Sequence, residues 1–166
     1  MPLYQIFNGP MPTTASFAAV TTGTAIKTLL QLKPFNIVRI VEWGISFDGS
    51  AAATPIEVEL LDTGTVFATV TASADADVMK FGSVEPAVAS IAGLTLGTAA
   101  TGYTGSAEGS ITAIKIFDAQ FVAPTNQYIK QFPLGREPIG IIGNSIRIRV
   151  KAGAAVNAIA YMTLEI

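Results

Sequence analysis

The sequence contains no cysteine and no histidine among its 166 residues. Without cysteine there is no disulfide, no zinc ribbon and no thiol nucleophile. Without histidine, the Ser-His-Asp triad, the commonest zinc sites and metal centres of the cupin kind are excluded too. Charge is also scarce. Lys, Arg, Asp and Glu make up 13% of the chain, about half the share usual in soluble domains. A formal net charge of −2 lacks the basic excess with which nucleic-acid binders neutralise phosphate, so no nucleic-acid partner is expected. Long hydrophobic runs are missing as well. "IVRIVEW" and "PIGIIGNSI" are short and broken, whereas a spanning helix needs about 20 apolar residues. The opening "MPLYQIFNGPMP" has neither the basic nor the apolar region of a secretory leader. No membrane partner is expected.

What is present is unusually apolar for so few charges. Mean hydropathy is +0.50 for a chain of 17.3 kDa. A folded monomer of that mass should expose roughly 7,800 Å². Ten cations and twelve carboxylates would then average about one charge per 350 Å² of that surface. The excess apolar surface is expected to meet other protein, which points to assembly as an oligomer.

Period-2 alternation dominates the chain. In "NIVRIVEWGISFDG", Val41, Trp43, Ile45 and Phe47 share one face, with Glu42, Gly44, Ser46 and Asp48 on the other. In "PIEVELLDTG", Ile56, Val58 and Leu60 oppose Glu57 and Glu59. In "NSIRIRVKAG", Ile146, Ile148 and Val150 oppose Arg147, Arg149 and Lys151. Each is the pattern of a strand with one buried and one solvated face. "TAIKTLLQLK", "SITAIKIFDAQ" and "AVNAIAYMTLEI" are further strands, separated by turns rich in Gly, Pro, Asn and Asp. The expected fold is a single all-β domain, an antiparallel β-sandwich of jelly-roll type.

Two segments stand apart. Residues 1–23, with Pro2, Pro10 and Pro12, read as an extended arm with a short strand at "YQIF". Residues 71–110, rich in Ala, Gly, Ser and Thr, read as a loop-rich excursion at the periphery that contacts neighbouring subunits. Within it, Ser73 with Asp75 and Asp77 is placed to cap a helical turn through "DADVMK". "VASIAGLTL" offers one more short strand.

No constellation carries catalysis, and a non-enzymatic protein without cofactor or metal is expected. Glu57 and Glu59 share a strand face as a solvated pair rather than a glycosidase dyad. Asp75 and Asp77 lack the Gly and Glu that complete a calcium loop. "GTAATGYTG" has no lysine and no strand-to-helix setting for phosphate. The stripe Arg147, Arg149 and Lys151 lacks the aromatic partners of a nucleic-acid platform. Trp43, the single tryptophan, falls on an apolar face, which weighs against a carbohydrate-binding platform.

"LYQIFNGPMPTTASF", "VEWGISFDGSAAATPIEVEL", "LTLGTAATGYT" and "FDAQFVAPTNQYIKQFPLGREP" resemble small virion structural proteins of tailed bacteriophages, particularly those infecting actinobacteria. The resemblance runs through most of the chain, and none of its motifs has a defined chemical role. It implies a head decoration (cement) protein, made in the bacterial cytoplasm and located on the phage head surface. Its partners would be itself, as a homotrimer, and the major capsid protein. A tail-tube or other tail component is the rival reading. "NQYIKQFPLGREP" then reads as a proline-stiffened loop, with Tyr128 and Phe132 as apolar anchors and Arg136 as a forked donor at the interface. The competing reading is that both aromatics plug one end of their own sandwich.

Overall fold

The computed structural model describes residues 2–50, 54–82 and 93–166. Its strands form two antiparallel sheets packed face to face, the all-β sandwich expected from the alternation. The first sheet runs in the order β10 (Gln127–Gln131), β4 (Val38–Phe47), β13 (Asn157–Glu165), β1 (Leu3–Phe7), β7 (Val78–Lys80). Two short strands extend it: β11 (Ile139–Gly140) on β4 and β2 (Val20–Thr21) on β13. The second sheet runs β6 (Thr69–Ala72), β8 (Gly102–Ala107), β3 (Lys27–Leu32), β12 (Ile146–Lys151), β5 (Ile56–Asp62), β9 (Lys115–Val122).

Without β6, β7 and β8, the orders reduce to β10-β4-β13-β1 and β3-β12-β5-β9. That is the eight-strand double Greek key of a jelly roll. Tyr4, Ile6, Trp43, Ile45, Met162 and Leu164 from one sheet meet Leu30, Leu32, Val58, Leu60, Ile146 and Ile148 from the other, all buried. The exposed surface is 7837 Å², close to the value expected from mass alone.

The described part of segment 71–110 is more than loop. It is an insertion between β5 and β9 that lengthens both sheets: β7 pairs with β1, and β8 pairs with β3 and β6. Backbone groups along the two sheet edges would otherwise need water, and pairing with the insertion satisfies them. Val78 and Leu94 carry the insertion into the core. The Ser73 cap does not form. The Ser73 hydroxyl is buried without a hydrogen-bond partner among the described residues. Asp77 instead accepts from Ala74 N and Met11 N, holding a 3₁₀ turn at Asp75–Asp77 before β7 begins. "VASIAGLTL" lies largely outside the described residues, and only Leu94 forms a bridge, to Pro34.

Residues 1–23 likewise contain more than an arm. "YQIF" is part of β1, inside the first sheet between β13 and β7. Tyr4 and Ile6 point into the core, as period 2 requires.

One face assignment and one expected exposure change. In β4 the alternation slips at Val41, where the register against β13 passes from Glu42 to Ile40. Val41 is the extra residue of a β-bulge, so Val38 and Ile40 are buried before it, and Trp43, Ile45 and Phe47 after it. In β12, Arg147 is 0% exposed rather than solvated. The outer face of the second sheet is roofed by residues 63–68 and 105–109. Arg147 donates there to Ser145 Oγ, the Val66 and Glu108 carbonyls, and Glu108 Oε2. Glu108 also accepts from Thr28 N and Oγ1. Burial lowers the Arg147 pKa, and the Glu108 carboxylate opposes that shift. Arg149 pairs with Glu59 at 2.8 Å. Of the three cations only Lys151 is exposed, so no basic stripe reaches the surface.

Candidate interaction surface

One margin of the sandwich brings the edge strand of each sheet together: β9 from the second, β10 and β11 from the first. The strands leave β4 differently because of the bulge at Val41. β10 pairs with Glu42–Ser46 and β11 with Val38–Arg39, and residues 132–138 arch over the position between. Phe132 N donates to the Val41 carbonyl and Ile40 N to the Pro138 carbonyl, pinning both feet of the arch. At its top, Arg136 N donates to the Pro133 carbonyl, with Gly135 at φ 79°. A residue with a side chain resists that backbone, so Gly is what closes the turn. Leu134 then projects outward, 94% exposed.

The same logic operates at Ile141–Asn144. Asn144 N donates to the Ile141 carbonyl, and Gly143 has φ 82°. Asn144 donates its side-chain amide to both carboxylate oxygens of Asp62, tying the turn to β5. Ile141 and Ile142 are consecutive and both exposed.

Between β9 and the arch lies an open groove of about 640 Å³, lined among others by Ile116, Phe117, Phe132, Arg136, Glu137 and Ile139. A second groove of about 390 Å³ continues it past Ile114 and Ile141. Glu137 is buried at the base of the arch. Its Oε1 accepts from Gly135 N, while Oε2 lies 3.7 Å from Arg39 and has no hydrogen bond among the described residues. Backbone N–H donors, its own and that of Gly135, hold its pKa below the usual carboxylate value, and Arg39 adds to that.

Of the residues singled out from sequence, Phe132 and Arg136 line this groove. Tyr128 lies beneath it, on a strand rather than a loop. Its ring packs edge-on against Trp43 at 5.5 Å between centroids, and its hydroxyl donates to Asp118 at 2.8 Å. Burial, then the bond to Asp118, pushes its pKa up to about 12. Tyr128 and Phe132 both pack against the protein's own core. Arg136 is exposed. Sequence reasoning missed Ile114, Ile116, Leu134, Ile139, Ile141 and Ile142. The available signal was the failure of alternation in "PIGIIG", where adjacent isoleucines cannot both face inward.

Glu57 is half-exposed beside the Glu59–Arg149 pair, so these two acids do not face each other across a cleft. Among the described residues no group of three or more Asp or Glu side chains is placed to hold a metal ion. Among them, too, no helix is long and apolar enough to cross a membrane.

On the outer face of the first sheet, the Tyr161 ring covers Gly44 and meets Phe7 at 5.7 Å, while Phe7 meets Phe17 at 5.3 Å. Tyr161 donates to Glu42 at 2.6 Å. These rings cover their own sheet.

No protein-family model matches the chain, and no similar curated protein or solved structure was found.

Proposed function

We propose that the protein is a non-enzymatic structural subunit of a larger assembly, and specifically a decoration protein on the head of a tailed bacteriophage. The observation that carries this reading is the concentration of exposed aliphatic side chains along one margin, on a surface otherwise poor in charge. A free monomer has little use for such a margin, and contact with other protein removes it from water. Jelly rolls also serve as viral capsid domains, which suits the reading without specifying it. The proposed partners are further copies of the chain, as a trimer, and the major capsid protein.

The test is mass analysis of purified particles of the encoding phage. Recovery at a fixed copy number with heads, and weaker shells in particles lacking the protein, support the proposal. Absence from particles, or recovery with tails alone, overturns the head assignment.

A further inference from the structure

The β9–β11 margin is matched in character by the opposite margin, built by the insertion. There β7 and the residue after it expose Met79 and Phe81, and the turn before β7 exposes Asp75. We propose that the first margin docks onto the second margin of another copy of the chain, head to tail, so that copies close into a ring. The proposal rests on the assembly reading above and assigns its self-contact.

Three observations select another copy as the occupant. The first is area. Ile114, Ile116, Leu134, Ile139, Ile141 and Ile142 together expose on the order of 650 Å², against about 800 Å² per partner for a standard interface. The half-buried rings of Phe117 and Phe132 line the same groove.

The second is charge. Lys115, Lys130 and Arg136 are exposed on the first margin and form no ion pair among the described residues. With Arg39, Asp118 and Glu137, the margin carries four cations and two carboxylates. The rest of a chain of net charge −2 is therefore more acidic than the whole. Docking the margin on itself would oppose like charges, whereas the insertion margin sets the carboxylates Asp75 and Asp77 against one cation, Lys80, beside its apolar residues. A contact between two different patches is heterologous, and it closes into a ring when the rotation permits.

The third is Glu137 Oε2, buried at the groove without a hydrogen bond among the described residues. Such an acceptor is costly unless a donor reaches it, and a docked copy supplies donors from its own edge-strand backbone.

The experiment uses two full-length double variants, Leu134→Glu/Ile141→Glu on the first margin and Met79→Glu/Phe81→Glu on the second. All four positions are exposed, so each variant should keep the circular dichroism spectrum of wild type. Should either pair fail to fold, Leu134→Glu or Met79→Glu alone replaces it. In sedimentation experiments wild type should form a closed oligomer, and each variant alone should associate at least about tenfold more weakly. An equimolar mixture should form a heterodimer, because each variant retains the margin that the other has lost.

A wild type that stays monomeric at high concentration overturns the proposal. So does a second-margin variant that associates like wild type, or a mixture that forms no heterodimer. Binding to capsid shells separates the two readings. A monomer that decorates shells defeats this interface alone, and a ring that binds no shell defeats the decoration reading alone.

Discussion

Trp43 and Asp118, 75 residues apart, meet between the two sheets, where the indole Nε1 donates to Asp118 Oδ2 at 3.2 Å. The same oxygen accepts from the Tyr128 hydroxyl. One carboxylate on the edge strand β9 thus satisfies a donor from β4 and another from β10, holding the open margin together beneath the groove.

Replacing Asp118 by Ala should cost about 2 kcal/mol, because it leaves the fully buried Trp43 donor without an acceptor. Asp118→Asn should cost less, since its amide oxygen still accepts. Urea denaturation checks both, and an unchanged m-value would show that compactness is unaffected.

Tyr128 makes stability depend on alkaline pH. Its folded-state pKa of about 12 lies above the ordinary tyrosine value near 10. The unfolded chain therefore loses this proton first. The stabilisation is complete below pH about 10 and drains away as pH rises towards 12. Tyr161 and Tyr103 shift in the same direction. Tyr128→Phe should be less stable at neutral pH and flatter between pH 10 and 12, as read from thermal midpoints across that range.

Glu108→Ala should destabilise by about 3 kcal/mol, because Arg147 would remain buried without its counter-charge. Arg147→Met, which removes the buried cation and keeps the bulk, should cost less than Glu108→Ala. Equilibrium unfolding of the two single variants and of their combination yields the coupling directly.

Two strand glycines should respond unequally to alanine. At Gly44 the new Cβ would meet the Tyr161 ring at 2.5 Å, and that ring can lift from the sheet. At Gly102 it would meet the Thr71 carbonyl oxygen at 1.9 Å, within the β6–β8 pairing. Gly44→Ala should cost about 1 kcal/mol and Gly102→Ala at least about 3 kcal/mol. Chemical denaturation measures both, and the opposite order would mean that β8 is not held against β6 as described.

The sequence by itself determined the class of fold. Alternation in strands such as β5, β12 and β13 is a property of the extended backbone, whose side chains point up and down in turn whatever lies beyond. Ile56, Val58 and Leu60, and Ile146, Ile148 and Val150, are accordingly buried as their spacing requires. The turns at Gly64 and Gly143 were legible for a similarly local reason. What alternation cannot carry is the identity of the neighbour. Arg147 sits on the outward face that its parity assigns, and it is buried because Glu108 from the insertion and Val66 from the loop after β5 roof it. Val41 leaves the core face because β13 pairs with β4 one residue out of step. Phe132 came to line a groove, with Tyr128 packed on Trp43 beneath it, only when β9 and β10 were placed at the same margin. Which strands end at an edge, and so which apolar residues stay uncovered, follows from pairings between distant parts of the chain. Those pairings are chosen by the burial and hydrogen bonding of the whole sandwich, and no single strand encodes them.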